Sequence, residues 1–347
     1  MVESAPDFTG PTFAEVLSDL NSPQRDAVKY LDGPLLVLAG AGSGKTRVIT
    51  RKIAYLVREC GFDARHIAAI TFTNKAAREM RERVGELLDS REAKGMTIST
   101  FHSLGLAILR QEARVLGYKP QFSVLDAADA GGILADIVKT TDKATLRRGA
   151  ALISNWKNAL LSPDQAEAAA EDEAQRQFAA AYHSYQATLK AYQAMDFDDL
   201  IRLPVELFER DPEVLSRWQG RLRYLLVDEY QDTNGAQYAL MKRLAGPIGR
   251  FTAVGDDDQA IYAWRGADVE NLRRLGEDYP TLKLIPLTQN YRSSRRILDA
   301  ANRVIRHNSR LHDKTLWSEL GHGDPIQVVE CKDDRHEAET VAVRIDA

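Results

Sequence analysis

The sequence has little cysteine, no long apolar run and no basic leader. Its 347 residues include two cysteines, Cys60 and Cys331, and neither belongs to a CxxC pair, so a disulfide framework is excluded. The seven histidines are scattered without zinc spacing, which argues against a structural metal. No apolar run approaches the roughly 18 residues of a membrane span, and residues 1–10 lack the features of a secretory signal. We therefore expect a soluble, cytoplasmic protein with no membrane partner.

An excess of positive charge is also missing. Lysine and arginine number 46 against 50 acidic residues, which gives a net charge of −4. This balance argues against binding to nucleic acid through bulk positive charge. The 44% share of hydrophobic residues is typical of a globular protein and too high for a disordered one. At roughly 150 residues per domain, the length suggests about two domains.

Short apolar runs alternate with helical patterns in two parts of the chain. Strands are expected at residues 35–38, 67–71 and 96–99, and again at 224–227, 251–254 and 282–286. Between residues 127 and 218 the pattern indicates only helix. Such alternation predicts an α/β domain with a parallel sheet, here interrupted by a helical insertion. The expected divisions are a leader at 1–19, a first α/β part at 20–101, the helical insertion at 102–215, a second α/β part at 216–290 and the start of another domain at 291–347.

The strongest local motif is AGAGSGKT at residues 39–46. Small residues let backbone N–H groups approach a phosphate chain, and the positive end of the following helix attracts it. Lys45 can reach the β- and γ-phosphates, and the Thr46 hydroxyl can ligate Mg²⁺. The usual pattern GxxxxGK[ST] has glycine where this chain has Ala39, and the alternative is a glycine-rich turn with a solvated lysine. The position between an apolar strand and a helix favours phosphate binding.

Two acids follow the apolar run at residues 224–227. Asp228 is placed to hold Mg²⁺ through water, and Glu229 to orient or deprotonate an attacking water. The alternative is a pair of solvated residues at a strand end. Two adjacent acids fit nucleotide hydrolysis better than transfer to a small acceptor, because water needs its own base.

A third strand is followed by GDDDQ at residues 255–259, where Gln259 can hydrogen-bond a γ-phosphate. Directly after it, Tyr262, Trp264 and Arg265 bring two aromatic rings and a cation together. This combination is typical of a stacking platform for unpaired bases, worth about 1–3 kcal/mol per base. Core packing of Tyr262 and Trp264 is the alternative.

Two strand-to-helix junctions, TFTNK at 71–75 and STFHS at 99–103, offer hydroxyls and helix N–H groups to a phosphate backbone. Phe72 is available for stacking, whereas Thr73 or Asn74 could equally be a helix cap, and His102 could be structural.

Two other polar positions have open interpretations. The segment DFDDL at 196–200 is interpreted mainly as a helix N-terminus, where acids suit the dipole. Arg292 could reach the γ-phosphate across a cleft or pair with a surface acid. Near the N-terminus, Ser22 is expected to be a helix N-cap and Pro23 the first helical residue.

Together these motifs resemble the UvrD/Rep family of superfamily 1 DNA helicases from residue 20 to the C-terminus. The blocks that carry the resemblance are LNSPQRDAV, AGAGSGKT, TFTNKAAREM, STFHSLG, DFDDL, LLVDEYQDTN, VGDDDQAIYAWRGA and QNYRSS. The family commonly has alanine at the position of Ala39. The implied fold is a RecA-like P-loop NTPase domain with a helical insertion, followed by the start of a second RecA-like domain.

The resemblance implies ATP-driven 3′→5′ movement on single-stranded DNA, in replication or repair, with Mg²⁺. By analogy Gln24 contacts adenine, Tyr291 stacks on it, Glu229 is the catalytic base, and Gln259 and Arg292 contact the γ-phosphate, with Lys45 also catalytic. The implied metal ligands are Thr46 and Asp228. The expected nucleotide-binding residues are Gln24, Ala39, Gly40, Ala41, Gly42, Ser43, Gly44, Lys45, Thr46, Arg47, Tyr291 and Arg292. The expected DNA-binding residues are Phe72, Thr73, Asn74, His102, Tyr262, Trp264 and Arg265.

Members of that family continue for several hundred residues beyond this length. We therefore expect an N-terminal portion that binds nucleotide weakly or moderately and whose ATPase is severely impaired, since one trans-acting arginine can be worth about 10³–10⁵ in rate. Robust DNA-stimulated turnover by the 347-residue chain would contradict this expectation. The alternatives are a non-catalytic module that binds DNA or a partner, and part of a helicase–nuclease subunit. A small-molecule kinase is disfavoured, because it leaves the aromatic–arginine block unexplained.

Overall fold

The computed structural model of the protein describes residues 13–308 and 310–346. Residues 1–12, most of the expected leader, lie outside this range. The described strands are β1 (Leu35–Ala39), β2 (Ile67–Thr71), β3 (Thr97–Thr100), β4 (Ser123–Val124), β5 (Ala194–Met195), β6 (Tyr224–Val227), β7 (Phe251–Gly255) and β8 (Lys283–Leu287). None of the described helices is long and apolar enough to cross a bilayer.

The helices fall into an N-terminal, a middle and a C-terminal set. The first comprises α1 (Phe13–Ser18), α2 (Ser22–Lys29), α3 (Lys45–Arg58), α4 (Asn74–Gly85) and α5 (Phe101–Glu112). The second comprises α6 (Ala127–Val138), α7 (Lys143–Asn158), α8 (Pro163–Ala168), α9 (Glu173–Ala191), α10 (Asp199–Arg210) and α11 (Pro212–Arg221). The third comprises α12 (Gly235–Ala245), α13 (Glu270–Asp278), α14 (Arg295–Ile305) and α15 (Asp334–Asp346).

Six parallel strands form the central sheet in the order β3-β2-β6-β7-β1-β8. The predicted α/β fold with a parallel sheet is therefore confirmed. The first strand of the chain lies between the last two, with Leu36 opposite both Ala253 and Leu284. Strand β3 begins at Thr97 and β8 at Lys283, each one residue later than expected.

Alternate residues of each central strand face opposite layers of helices. Leu36 and Leu38 pack with α5 and α10–α13, whereas Leu35 and Val37 pack with α1–α4. Both faces of β1 and β6 are covered, so these two strands are continuously buried and largely apolar. The carboxyl ends of all six strands lie at one edge of the sheet, because the strands are parallel.

The middle of the chain contains a second hydrophobic core. Helices α6–α9 pack around Ile153, Phe178 and Tyr182. Helices α5, α10 and α11, which overlap the expected insertion at 102–215, share the hydrophobic core of the central sheet. The expectation of helix alone from 127 to 218 was wrong at one place, because β5 pairs with β4. Two residues are too few to give a periodic signal.

Helix α2 begins one residue earlier than expected. Asn21, not Ser22, is its N-cap, and the Asn21 side chain accepts a hydrogen bond from Gln24 N at 2.9 Å. The Gln24 side chain in turn accepts from Asn21 N at 3.1 Å, which completes a capping box. Asparagine and serine are comparable N-caps, so the sequence alone did not distinguish Asn21 from Ser22. The Gln24 side chain, which bonds back to Asn21 N, identifies Asn21 as the cap.

After β8 the chain turns back along the carboxyl edge of the sheet. We call residues 310–320 the return segment. Asn290 N donates to Trp317 O at 2.7 Å, and Tyr291 N donates to Gly42 O at 2.9 Å. The Asn302 side chain bonds both backbone groups of Leu316, at 2.8 and 3.1 Å. The return segment is thereby fixed beside the glycine-rich loop.

Candidate functional site

The glycine-rich loop connects β1 to α3 at the carboxyl edge of the sheet. Gly42 and Gly44 have φ angles of 69° and 89°, which favour glycine. A Cβ on Gly42 would lie 2.7 Å from Asn290 Nδ2, and one on Gly44 would lie 2.8 Å from Gln24 Nε2. Two residues of the loop therefore have left-handed backbone conformation, and neighbouring side chains leave no room for a Cβ at either. Both features are expected of a loop that binds phosphate.

Five side chains and one backbone group form a closed hydrogen-bonded ring beside this loop. Lys45 Nζ lies 2.6 Å from Glu229 Oε2 and 3.4 Å from Gln259 Oε1. Gln231 Nε2 donates to Glu229 Oε2 at 2.9 Å, and Gln231 Oε1 accepts from Asp256 N at 3.0 Å. Gln259 Nε2 closes the ring by donating to Asp256 Oδ2. We call these residues, Lys45, Glu229, Gln231, Asp256 and Gln259, the polar ring.

Asp228 lies at the end of β6 with its carboxyl buried. Burial, and then the charge of Glu229, raise its pKa to about 6. Glu229 itself has a φ of 48°, an uncommon left-handed conformation for a non-glycine residue, which places two acids side by side at the strand end. A cation here would relieve the repulsion between them. The Thr46 hydroxyl and the Asp228 carboxylate are hard oxygen donors of the kind that Mg²⁺ prefers.

A cleft of about 500 Å³ opens between the loop and the segment after β8. Its walls include most of the side chains that the sequence assigned to a nucleotide. They are Ala41, Gly42, Gly44, Lys45, Thr46, Arg47, Glu229, Gln259, Tyr291 and Arg292, together with Arg83. Arg83 was not among the sequence predictions, because it lies in the last turn of α4, outside any phosphate-binding motif.

Four other predicted nucleotide residues lie behind the cleft wall. Ala39 and Ser43 are buried, and Ser43 Oγ donates to Gly40 O at 2.7 Å. Gly40 lies close to Leu316 of the return segment. Gln24 is fully buried, and its Nε2 donates to Ser43 O at 2.8 Å. Gln24 thus supports the loop here, and its contact with a base stays a prediction.

A second groove, of about 510 Å³, lies between the sheet edge and the helical insertion. The Phe72 ring, one of its walls, stacks on Tyr262 with centroids 5.6 Å apart, and Tyr262 lies 6.4 Å from Trp264. Trp264 is 74% exposed. The structure therefore brings these three predicted aromatics together on the surface. The side chain of Arg265 lies outside the described part of the chain.

The opposite wall of this groove adds an aromatic ring that sequence reasoning missed. His102 stacks on Phe197 with centroids 4.0 Å apart, and Phe197 is 58% exposed. Burial lowers the pKa of His102 to about 4, so the ring is neutral at neutral pH. Phe197 belongs to the DFDDL segment. An aromatic residue among acids was the one feature of the sequence that could have indicated a stacking surface there.

The threonines at the two junctions cap helices. Thr73 Oγ1 accepts from Ala76 N at 3.1 Å, and Thr100 Oγ1 accepts from Ser103 N at 3.1 Å. Helices α4 and α5 therefore point their N-termini into the groove, where Asn74 and His102 also lie. This arrangement can present N–H groups to an anion.

The acids of DFDDL belong to a buried ion-pair cluster. Lys157 Nζ lies 2.6 Å from Asp196 Oδ2 and 3.1 Å from Asp199 Oδ1. Tyr185 also donates to Asp196, at 3.0 Å. Helix α10 does begin at Asp199, but Asp198 provides no side-chain cap. The interpretation as a dipole-stabilised helix start was therefore incomplete, because Lys157 is contributed by α7, far away in sequence.

Comparisons with known proteins identify similar sequences along most of the chain. Residues 20–280 match the family model of the UvrD/REP helicase N-terminal domain, and residues 285–347 match that of the UvrD-like helicase C-terminal domain. The chain is 55% identical over 325 residues to ATP-dependent DNA helicase Rep of Escherichia coli (strain K12), covering 93% of this chain and 48% of that protein.

Another relative is ATP-dependent DNA helicase PcrA of Staphylococcus epidermidis (strain ATCC 35984 / DSM 28319 / BCRC 17069 / CCUG 31568 / BM 3577 / RP62A). The identity is 46% over 334 residues, which is 95% of this chain and 46% of that protein. The chain thus spans about half the length of the curated relatives it matches.

Proposed function

The chain belongs to the UvrD/REP helicase family, and on that premise we propose that it serves an ATP-driven motor acting on single-stranded DNA. The observation that carries the proposal is the meeting of the glycine-rich loop, Glu229 and Gln259 in one cleft beside an aromatic groove. The 3′→5′ direction of movement, and a role in DNA replication or repair, rest on the family resemblance alone.

In this proposal the cleft holds ATP by its phosphates. The loop N–H groups and Lys45 bind the β- and γ-phosphates, and Gln259 and Arg292 contact the γ-phosphate. Tyr291 is exposed at the rim of the cleft, where it can stack on the base. Glu229 orients the attacking water and accepts its proton.

Magnesium is the metal that the oxygen donors fit. Thr46 and Asp228 would hold it, and it would supply charge neutralisation at the phosphates. Asp228 must be ionised to act as a ligand. Because its pKa is raised to about 6, we propose that Mg²⁺-dependent nucleotide binding weakens as the pH falls below 6.

Lys45 must exchange its partner when nucleotide binds. In the structure its ammonium is engaged by Glu229 at 2.6 Å, and a γ-phosphate would compete with that carboxylate. Glu229→Gln should therefore bind ATP more tightly than the wild type and hydrolyse it far more slowly. Tighter binding follows from the loss of the competing charge, and slower turnover from the loss of the base.

Titration with a fluorescent ATP analogue and Mg²⁺ tests the nucleotide site directly. Lys45→Ala should abolish binding while leaving the far-ultraviolet circular dichroism spectrum unchanged. Lys143→Ala, a change at an exposed lysine of α7, is the matched control and should bind normally. Unchanged affinity in Lys45→Ala would refute the phosphate-binding assignment.

The DNA part of the proposal is tested by fluorescence anisotropy with a labelled oligothymidylate. Trp264→Ala and Phe197→Ala should each weaken binding by about 1–3 kcal/mol, the usual value of one base stacked on an aromatic ring. Tyr192→Ala is the control, since Tyr192 is 68% exposed and does not line the groove. Equal affinities for all three variants would refute the groove as the DNA site.

A further inference from the structure

The acidic run after β7 is closed by a lysine from the return segment. Lys314 Nζ lies 2.7 Å from Asp256 Oδ1 and 2.9 Å from Asp258 Oδ2, and it also bonds Asp257. The side chain of Lys314 is only 2% exposed. The three carboxylates are close enough together to hold a metal ion, and the ammonium group occupies that position.

Other groups of the return segment satisfy the same carboxylates. Arg310 binds Asp258 with two hydrogen bonds, at 3.1 and 3.0 Å, and donates to Lys314 O at 2.9 Å. Leu311 N donates to Asp257 Oδ2 at 3.1 Å. Such bidentate, charge-assisted bonds fix geometry as well as supplying energy.

Asp256 connects this lysine to the polar ring. One carboxylate oxygen of Asp256 faces Lys314, and the other accepts from Gln259 Nε2. Gln259 Oε1 then faces Lys45, at 3.4 Å, in the cleft. Asp256 and Gln259 therefore link the buried ammonium of Lys314 to the lysine of the glycine-rich loop by hydrogen bonds.

We propose that Lys314 is a positioning residue, which holds Asp256 so that the Gln259 amide faces the γ-phosphate of bound ATP. The role of the cleft in this proposal rests on the proposed function. Without the ammonium, three neighbouring carboxylates repel one another and Asp256 turns away from Gln259. The sensor glutamine then loses the acceptor that orients it.

The charge of Lys314 is maintained by its partners. Burial by itself lowers the pKa of this lysine, but the hydrogen bonds that it donates to Asp256 and Asp257, and the charges of these carboxylates, outweigh burial and raise it. The ion pairs between Lys314 and the acids at 256–258 are therefore present throughout the physiological pH range. It acts as a fixed support for Gln259.

A double-mutant cycle on the 347-residue chain separates positioning from a general structural role. Dissociation constants are measured for Mg·ATPγS, which has a γ-group, and for Mg·ADP, which lacks one. Lys314→Met should weaken ATPγS binding about tenfold, the loss typical of one hydrogen bond to a charged group, with ADP affinity unchanged within about twofold. In a Gln259→Ala background the same change should have little further effect, because the two residues act in series.

Lys242→Met is the matched control, since Lys242 also forms an ion pair, with Asp278 at 2.7 Å, and does not line the cleft. Lys314→Gln serves if the methionine variant does not fold and should show the same selective loss. Lys314→Arg, which keeps the charge, should restore part of the ATPγS affinity. Equal losses for ATPγS and ADP, or equal losses in both backgrounds, would overturn the proposal.

Hydrogen exchange of the nucleotide-free protein tests the contact between Lys314 and the acidic run at 256–258 independently of nucleotide binding. Lys314→Met should speed amide exchange at residues 256–260, while exchange in β1 stays unchanged. Unaltered exchange at residues 256–260 would refute the positioning role even if the wild type bound no nucleotide. Failure of the wild type to bind nucleotide would instead refute the proposed function, so the two failures are distinguishable.

Discussion

Replacing Asp198 by asparagine should stabilise the protein at neutral pH and have no effect in acid. Asp198 lies at the start of α10, where burial, and then the charge of Asp196, raise its pKa to about 6. Asn158 Nδ2 donates to Asp198 Oδ1 at 3.2 Å, and asparagine keeps that acceptor. The substitution therefore removes the charge with little change in shape.

The size and the sign of the effect follow from the pKa. A rise from 3.8 to about 6 corresponds to at most about 3 kcal/mol at 1.36 kcal/mol per pKa unit. Because water reaches part of this carboxyl, we expect about 1–2 kcal/mol. The folded protein binds this proton more tightly than the unfolded chain does. The corresponding stability is complete below pH 4 and is lost progressively as the pH rises to about 6, so the gain from Asp198→Asn grows over this range and is complete above pH 6.

Urea unfolding of the wild type and Asp198→Asn at several pH values between 4 and 7.5 measures this difference. The free energy of unfolding of the variant should exceed that of the wild type at pH 7.5, and the two should converge near pH 4. Asp136→Asn, a change at an exposed position of α6, is the control and should show no gain. A gain that is equal at all pH values, or a loss at pH 7.5, would refute the reasoning.

Three further substitutions test the packing that supports the site. Gly105→Ala should destabilise by about 1–3 kcal/mol or more in urea unfolding, because its Cβ would lie 1.8 Å from the Leu200 carbonyl oxygen where α5 meets α10. Lys157→Met should cost about 3–5 kcal/mol in the same assay, since it removes the ion-pair partner of Asp196 and leaves Asp199 with Arg202 alone. Asn234→Ala should lower the melting temperature through a loss of about 1–2 kcal/mol, as it removes the cap of α12 and a 2.7 Å bond to Asn158.

A control variant and a contradicting result can be stated for these substitutions. Gly85→Ala near the end of α4 meets nothing within 4 Å, so it should be neutral or stabilising by about 0.5–1 kcal/mol. Equal effects of Gly85→Ala and Gly105→Ala would contradict the close approach of α5 to α10. A Lys157→Met variant as stable as the wild type would contradict the buried pairing. An Asn234→Ala variant with an unchanged melting temperature would contradict the cap.

Local patterns were sufficient to predict the sheet and the glycine-rich loop. The apolar runs that became β1 and β6 are continuous because helices cover both faces, and continuity of this kind is visible in sequence. Gly42 and Gly44 have positive φ angles, which favour glycine, and the glycines of the motif are visible in the sequence. The convergence of Lys45, Glu229 and Gln259 also followed, because parallel strands share one carboxyl edge.

Contacts between distant segments could not be predicted. Lys157 pairs with both Asp196 and Asp199, and Lys314 pairs with all three acids at 256–258. Neither lysine has a motif, and each is recognised only when another element places it against the acids. Likewise the net charge of −4 argued against binding to nucleic acid through bulk positive charge, whereas the proposed DNA contact at the groove of Phe72 and Phe197 depends on local stacking surfaces.

The order of strands in the sheet has a consequence for biosynthesis. Among the described strands, β1 pairs with β7 and β8 alone, so it waits for roughly 200 further residues, or about 10–40 s at 5–20 residues per second, before either partner emerges from the ribosome. The helices α6–α9 have their own core and are complete earlier. We therefore expect the insertion to fold first during translation, while β1 remains exposed to chaperones until the last strands arrive.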